Sequence, residues 1–236
     1  MNRDTILKRD SFGIVTVSSC VEGGVVTRDT CGAAWWARPV ARHLARREAR
    51  ALQALSHLEG VPSLIDFDGA RLRRTFLAGK PMHEARPGSR GYFRDAFKLL
   101  CRVHRSGLVH NDLAKEPNWL QLAGGGPGIV DFQLSWAPKR RNALFRALAR
   151  EDLRHLLKHK RTYLPDGLTG RQKALLATPT GLARAWAVLV KPPYLFVTRR
   201  VLGWSEREGP GSSASSHQGG WRRPAWIRRW AVATSR

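Results

Sequence analysis

The order of apolar and polar residues in the first part of the chain predicts a β-hairpin followed by a helix. Residues 12–28 alternate, are rich in Val and Thr, and hold a Gly-Gly pair between two runs, which is typical of a hairpin. Residues 40–58 place leucines along one helical face and arginines mostly elsewhere, which predicts an amphipathic helix. Two short strands are expected to follow, near residues 62–69 and 70–77.

One acidic residue, Glu48, lies on the apolar face of the predicted helix. It is four residues from both Leu44 and Leu52, so the three side chains share one stripe. A buried carboxylate without a partner is costly, and Glu48 should therefore pair with a cation. The pattern leaves open whether that cation is a neighbouring arginine at the rim of the helix or a residue from elsewhere in the fold.

The second half of the chain follows a Gly/Pro-rich link at residues 78–91, which is a candidate hinge. A further helix is predicted over residues 92–106 and is ended by Gly107. The elements expected after it are a polar loop at 109–118, a strand–turn–strand unit at 119–132 and a basic helix at 142–164.

Composition adds an expectation about partners and compartment. The chain has 41 Lys and Arg against 18 Asp and Glu, a formal net charge of +23, which favours polyanions such as nucleic acid, anionic lipid or phosphorylated ligands. Its three cysteines lack paired spacing, which is typical of a reducing compartment. The first residues lack the apolar core of a signal peptide, and no long apolar window follows. We therefore expect a cytoplasmic protein, and the composition leaves peripheral attachment to the inner membrane open.

The last residues, 205–236, differ in composition from the rest. A Gly- and Ser-rich part comes first, and a Trp- and Arg-rich end without acidic residues follows. Such an end favours contact with an anionic membrane or a nucleic acid. A disordered tail without a partner is the alternative.

Candidate chemistry is concentrated in the polar loop and in the strand–turn–strand unit after it. The loop contains His110, Asp112 and Asn118, and the unit ends with Asp131 and Phe132. One carboxylate can orient an attacking hydroxyl, while an amide and a second carboxylate can hold magnesium ions that bridge phosphates. The two strands between the amide and the second carboxylate would bring both to one mouth.

The hairpin, the helix with an inward glutamate, the hinge, the polar loop and the Asp-Phe unit occur in an order that resembles the protein-kinase-like superfamily. Over about residues 10–160 the chain looks most like small bacterial RIO-like serine/threonine kinases. The resemblance implies an α+β, bilobal protein-kinase-like fold with a small β-rich N-lobe and a mostly helical C-lobe. We expect the N-lobe at residues 1–78, the C-lobe at 79–204 and a flexible basic tail at 205–236.

The resemblance also implies roles for single residues. Asp112 matches the catalytic aspartate, and Asn118 and Asp131 match the metal ligands. Glu48 matches the helix glutamate that positions a phosphate-binding lysine, and Arg28 stands where that lysine is expected. Arginine keeps the charge, but its planar fork differs from a compact ammonium.

Three further residues match supporting positions of the family. His110 corresponds to the histidine that packs the loop against the Asp-Phe segment, which is a structural role. Lys115 would reach the transferring phosphate as a second catalytic residue, and a solvated surface lysine is the alternative. Asp152 resembles the buried acid that braces the loop from a later helix, and a solvated charge is the alternative there.

The chain departs from the family pattern at several positions. Five residues rather than four separate the loop aspartate from the asparagine, so the loop must bulge, and Pro117 should hold Glu116 in extended geometry. Gln133 replaces the glycine of D-F-G, which predicts a segment that does not flip. No glycine-rich phosphate loop is present, since only Gly13 precedes the first predicted strand.

The function implied by the resemblance is that of an ATP- and Mg²⁺-dependent phosphotransferase acting on a hydroxyl, with a serine/threonine protein kinase as the first interpretation. A small-molecule or lipopolysaccharide-core sugar kinase is an alternative. Arg28 and the absent glycine loop also fit a catalytically impaired pseudokinase, a basic scaffold for nucleic acid or anionic membrane. Retention of Asp112, Asn118 and Asp131 together favours the enzyme.

Overall fold

The N-terminal part of the protein is a five-stranded antiparallel sheet. The structure, a computed structural model, describes residues 4–20 and 23–178. The strand order in this sheet is β1-β2-β3-β5-β4. Its strands are β1 (Asp4–Asp10), β2 (Gly13–Cys20), β3 (Gly23–Asp29), β4 (Leu64–Phe67) and β5 (Arg71–Thr75). The predicted hairpin is confirmed as β2 and β3, and the two later strands are confirmed as β4 and β5.

Strand β1 is not predicted by the sequence pattern. It is an edge strand, and it carries little of the alternation that marks a half-buried strand, since Ile6 is 53% exposed and Lys8 and Arg9 are exposed as well. Because β1 precedes it, Gly13 begins the second strand of the sheet rather than preceding the first. The Gly13 backbone has φ +125°, and a Cβ there would lie 2.2 Å from the carbonyl oxygen of Asp29, so only glycine fits.

Helix α1 (Arg38–Ala54) follows the sheet's third strand. Pro39 lies in its first turn, where a missing N–H costs nothing. The buried face consists mainly of small residues, which lets the helix pack closely: Ala41, Ala45, Ala49, Ala51 and Leu52, with Glu48 among them. The predicted extension to residue 58 is wrong, because the chain turns at Leu55, whose carbonyl accepts from the amide of Leu58 at 2.9 Å.

The C-terminal part is mostly helical around a small sheet. Its strands are β6 (Gly79–Pro81), β7 (Trp119–Leu122) and β8 (Pro127–Ile129), paired in that order. Its helices are α2 (Met82–Ala85), α3 (Arg90–Arg105), α4 (Ala143–Tyr163) and α5 (Gly170–Ala177). Side chains cap the two long helices: Ser89 Oγ accepts from the amide of Tyr92 at 3.1 Å, and Asn142 Oδ1 accepts from that of Phe145 at 2.9 Å.

One apolar core joins the two parts. Leu52 and Leu55 of α1 belong to the same buried cluster as Leu100 of α3, Trp119 of β7 and Phe132 beyond β8. The α+β, bilobal architecture expected from the sequence is confirmed. Residues 179–236, with the predicted tail and the end of the predicted C-lobe, lie outside the described residues. No helix in the described part of the chain combines the length and apolar character needed to cross a bilayer.

Candidate active site

Two arginines on neighbouring strands meet one buried glutamate at the centre of the site. Register pairs Val26 of β3 with Arg74 of β5, and Arg28 with Leu72, so all four side chains share one face of the sheet. Helix α1 lays Glu48 against that face with no exposed surface. Glu48 Oε2 is 3.2 Å from Nε of Arg28, and its Oε1 is 3.2 Å from Nε of Arg74. The partner of Glu48 is therefore on the sheet and not on its own helix.

This three-residue cluster is held by charge more than by hydrogen bonds. Within the described residues, neither Glu48 oxygen receives an N–H in good hydrogen-bond geometry, although both lie at ion-pair distance. Burial lowers the pKa of Arg28, but the Glu48, Asp131 and Asp10 carboxylates outweigh burial, and the net pKa is raised. Burial, helped by the charge of Arg28, lowers the pKa of Arg74 despite Glu48. Arg74 is thus the less well compensated cation.

The sequence pattern did not identify Arg74 as a site residue. Three arginines occur close together in β5, and the pattern does not by itself assign one to the interior. The usable signal is Leu72, which is completely buried, because a residue two positions further along a strand lies on the same face. Arg74 satisfies that relation, whereas Arg73 pairs with Asp66 on the outer side, at 2.8 Å.

The polar loop closes on itself through Asn118. The side-chain Nδ2 of Asn118 donates to the backbone oxygen of Asp112 at 2.9 Å and to its Oδ2 at 3.1 Å. Lys115 Nζ lies 3.2 Å from the same Oδ2. The structure therefore brings together three predicted site residues despite the extra residue between aspartate and asparagine.

The extra residue is absorbed by two short turns. The amide of Lys115 donates to the carbonyl of Asp112, and the amide of Asn118 donates to the carbonyl of Lys115 at 3.1 Å. The expectation that Glu116 is extended is wrong, since Glu116–Asn118 form a single 3₁₀ turn. Lys115, at φ −79° and ψ 118°, is the extended residue instead. A proline in the first turn of a 3₁₀ or α-helical segment needs no N–H, so Pro117 is compatible with this arrangement.

Asp131 is placed next to the loop by the β7–β8 hairpin. The amide of Val130 donates to the backbone oxygen of Asn118 at 3.0 Å, one residue before Asp131. Asp131 has φ +68°, in the left-handed region that is uncommon for aspartate. Its Oδ1 accepts from Nε2 of Gln133 at 2.5 Å and lies 3.9 Å from a terminal nitrogen of Arg28. Gln133 thus contacts the acid directly, which the sequence did not indicate.

The two site aspartates have opposite pKa shifts. Burial raises the pKa of Asp112, and the charge of Asp131 adds to this, while Lys115 opposes it. Burial also acts to raise the pKa of Asp131, but the charge of Arg28 and the hydrogen bond from Gln133 outweigh it and lower the pKa. Asp131 is therefore the better anion, and Asp112 is the better proton acceptor.

His110 connects the loop to the segment after Asp131. Its Nδ1 accepts from the amide of Asp112 at 3.3 Å, so its Nε2 carries the proton and donates to the carbonyl of Val130 at 3.1 Å. Its ring centroid is 4.6 Å from that of Phe132. The structural role predicted for His110 is consistent with these contacts.

Asp152 of α4 holds the start of the loop. It is 1% exposed and accepts from the amides of His110 at 2.8 Å and Asn111 at 3.0 Å, and His104 Nε2 lies 3.2 Å from it. The alternative of a solvated charge is therefore wrong. Asn111 adopts φ +65°, which asparagine tolerates, and its Nδ2 donates to the carbonyl of Leu134 at 3.1 Å.

Two further residues of α4 hold the rest of the loop and were not identified from the sequence. His159 Nε2 donates to the carbonyl of Leu113 at 2.8 Å, and the hydroxyl of Tyr163 donates to Oε2 of Glu116 at 2.7 Å. Burial lowers the pKa of His159, so the neutral imidazole is favoured. Together with Asp152, these side chains brace the loop along its length.

Arg47 ties α1 to the segment after Asp131. Its guanidinium donates to the carbonyl of Leu134 at 3.0 Å and twice to that of Ser135, at 3.1 and 2.5 Å. Glu48 is the residue after Arg47 in α1. The contact of Arg47 therefore couples the position of Glu48 to that of the segment that begins with Asp131, the candidate metal ligand. No pattern in the sequence predicted this contact.

The residues present fit a magnesium ion that is shared with a phosphate ligand. The side-chain amide nitrogen of Asn118 is committed to Asp112, so the side-chain oxygen is the atom available to a cation, and Asp131 would supply a carboxylate. Within residues 4–20 and 23–178, no group of three His, Cys, Asp or Glu side chains is arranged to hold a metal ion unaided. A small oxygen donor set completed by water and phosphate is the mode that Mg²⁺ uses with nucleotides.

The sheet, the braced loop and the Arg–Glu cluster define a bilobal protein-kinase-like fold. No protein-family model matches the chain, and no curated protein matches it. Solved structures do match, among them the Rio2 kinase from Chaetomium thermophilum, with a TM-score of 0.55 and 16% sequence identity over 80% of this chain and 67% of that chain. At this identity the likeness shows the fold, and the finer resemblance to bacterial RIO-like kinases stays a prediction.

Proposed function

We propose that this protein is an ATP- and Mg²⁺-dependent phosphotransferase that transfers the γ-phosphoryl group to a hydroxyl. The observation that carries the proposal is that Asn118 is hydrogen-bonded to Asp112 and that the β7–β8 hairpin holds Asp131 beside this pair, through the bond from the Val130 amide to the Asn118 carbonyl. Asp131 also lies 3.9 Å from Arg28, which is paired with Glu48. An altered loop length did not separate these groups.

In this proposal, each residue has one task. Asp112, whose pKa is raised by burial, orients the acceptor hydroxyl and takes its proton. Lys115, whose Nζ is 3.2 Å from that carboxylate, would contact the moving phosphoryl group. Asn118 and Asp131 would hold Mg²⁺, which supplies charge neutralisation for the phosphates. Catalysis then rests on positioning and electrostatics.

Arg28 and Arg74 together would take the role that one lysine has in the common pattern. Both are at most 17% exposed, and both already face a single carboxylate. Two guanidinium groups exceed the Glu48 carboxylate by one positive charge, which Asp131 offsets from 3.9 Å. With Mg²⁺ held by Asp131, that positive charge would be available to a phosphate ligand. Guanidinium also binds phosphate in a bidentate manner, so the change from lysine alters the geometry and keeps the charge.

For the acceptor, we propose a serine or threonine of a protein, on the resemblance to RIO-like kinases. A sugar of the lipopolysaccharide core or another small molecule with a hydroxyl is the second candidate, because the same constellation serves either acceptor. A cell extract separated into protein and lipopolysaccharide fractions distinguishes them, since the labelled product appears in one fraction or the other.

The test is transfer of labelled phosphate from ATP, with and without Mg²⁺. We expect Asp112→Ala and Asp131→Asn to reduce transfer at least about a hundredfold. Asp95→Asn, on the exposed surface of α3, is the matched control and should leave transfer unchanged. Thermal stabilisation by Mg²⁺-ATP should persist in Asp112→Ala and disappear in Asp131→Asn, because the second residue is the proposed metal ligand.

A different outcome would identify the protein as a non-catalytic scaffold. That outcome is the lack of any Mg²⁺-ATP stabilisation, together with transfer no higher than in Asp131→Asn. Salt-sensitive nucleic-acid binding that survives Asp112→Ala would then support the scaffold.

A further inference from the structure

Two adjacent tryptophans project from the loop between β3 and α1. Trp35 is 81% exposed and Trp36 is 48% exposed, and Val40 in the first turn of α1 is 51% exposed. Large apolar side chains that are exposed singly need no explanation, but three of them within six residues form a contiguous apolar tip. We call Trp35, Trp36 and Val40 the tryptophan tip.

Hydrogen bonds hold the loop that carries the two tryptophans in place. Thr30 Oγ1 donates to the carbonyl of Ala70 at 2.7 Å, and the amide of Ala34 donates to the carbonyl of Ser11 at 3.0 Å. Nε of Arg38 donates to the carbonyl of Ala33 at 3.2 Å. The two indoles are therefore held outward by an ordered loop, and ordering them on a partner costs little backbone entropy.

The helix that follows the two tryptophans carries a stripe of positive charge on its exposed side. Three arginines are exposed on the outer face of α1: Arg42, Arg46 and Arg50. None of the three forms an ion pair with another described residue. The sequence has no acidic residue between Asp29 and Glu48, and Glu48 is buried on the opposite face of the helix. An exposed apolar tip and an exposed cationic stripe therefore follow one another within residues 35–50.

We propose that this surface docks on an anionic lipid bilayer, with the tryptophan tip at the level of the head groups and the arginines against the anionic lipids. Tryptophan favours the membrane–water interface, where its ring is apolar and its N–H stays hydrated. Arginines close to the surface add electrostatic attraction that falls off within a Debye length, which is about 8–10 Å. The span from Arg42 to Arg46 is about 6 Å along a helix, well within that range.

A bilayer accounts for more of this surface than a nucleic acid does. Nucleic acids bind arginines and can stack on an indole, but Val40 and the neighbouring Pro39 offer them nothing to stack on. A bilayer interface accepts indole, aliphatic and cationic groups together. Docking through this surface does not involve the active-site cluster, because Glu48 lies on the buried face of α1. The proposal does not depend on the phosphotransferase function.

The test is vesicle flotation of the full-length protein, with phosphatidylcholine vesicles and with vesicles containing about 30% phosphatidylglycerol, whose charge provides the attraction under test. We expect binding to the anionic vesicles only, weakened by added salt. Trp35→Ser combined with Trp36→Ser should reduce partitioning about tenfold. Ile65→Ser, which removes a 43% exposed apolar residue from β4, is the matched control and should have no effect.

A second pair of variants tests the charge. Arg42→Ser combined with Arg46→Ser should reduce partitioning by up to about thirtyfold, because each arginine near an anionic surface contributes about fivefold. Arg140→Ser combined with Arg150→Ser removes the same charge from exposed positions elsewhere. The control pair should reduce partitioning much less.

Two results would overturn the proposal. In one, both double variants at this surface float like their controls, which would place any lipid contact elsewhere in the chain. In the other, single-stranded RNA binds more tightly than the anionic vesicles, and the tryptophan variants lose that binding. The melting temperatures of all variants should stay near that of the wild type, since every changed side chain is exposed.

Discussion

Replacing Glu48 by glutamine tests whether two buried arginines depend on one carboxylate. Glu48 has no exposed surface, and its two oxygens lie 3.2 Å from Nε of Arg28 and Nε of Arg74. In Glu48→Gln, Arg28 keeps Asp131 at 3.9 Å. Arg74, which is 12% exposed, then has no carboxylate at ion-pair distance among the described residues and keeps only the more distant charge of Asp131.

The expected loss in the free energy of unfolding is large, because the buried charge of Arg74 loses its ion-pair partner. Removing one member of a buried ion pair costs about 3–5 kcal/mol. For a protein of this size, each kcal/mol lowers the Tm by about 2–4 °C. We therefore expect the Tm of Glu48→Gln to be lower by about 6–20 °C, measured by circular dichroism or calorimetry.

Two further variants make this result specific to the pair. Glu59→Gln, at an exposed position, should leave the Tm unchanged. Glu48→Gln combined with Arg74→Met removes the uncompensated cation, so it should be more stable than Glu48→Gln alone. The reasoning would be refuted by a Tm for Glu48→Gln close to that of the wild type, or by a double variant no more stable than the single one.

Two other predictions concern the loop and the site aspartates. In Asp152→Asn, one of the two backbone amides that Asp152 accepts from, that of His110 or that of Asn111, loses its acceptor. We expect the free energy of unfolding to fall by about 2–4 kcal/mol and hydrogen exchange at these two amides to become faster. Unchanged exchange would contradict the bracing role. Asp112→Asn and Asp131→Asn should act oppositely in urea unfolding. Because the pKa of Asp112 is raised, its charge is destabilising above that pKa, so Asp112→Asn is expected to stabilise at pH 7. This gain is lost as the pH falls through the raised folded-state pKa toward the unfolded value of 3.8. Because the pKa of Asp131 is lowered, Asp131→Asn is expected to destabilise at pH 7, and that difference shrinks as the pH falls through the folded-state pKa; shifts in the same direction for both would show that the inferred electrostatics are wrong.

The parts of the fold with strong local periodicity could be predicted from the sequence. The alternation over residues 12–28 led to β2 and β3, and the leucine stripe over 40–58 led to α1. The spacing of Asp112, Asn118 and Asp131 identified three groups that the structure brings together. Each of these predictions rests on the pattern of neighbouring residues or on one recurrent motif.

The remaining features depend on packing between distant segments. Arg74 enters the site only because of the register between β3 and β5. His159 and Tyr163 brace the loop because α4 packs alongside it, and a helix pattern does not name the partners of its polar residues. The edge strand β1 was missed because an exposed strand leaves little apolar alternation.

The shared carboxylate also affects how this site can change over generations. A chain that exchanged Arg28 for lysine would not regain the usual lysine–glutamate pair, because Arg74 would still hold one Glu48 oxygen. Conversely, if Arg74 alone were lost, Arg28 would be the only arginine paired with the Glu48 carboxylate. The two arginine positions, on different strands, are therefore expected to be epistatic, because the effect of changing one depends on whether the other is present.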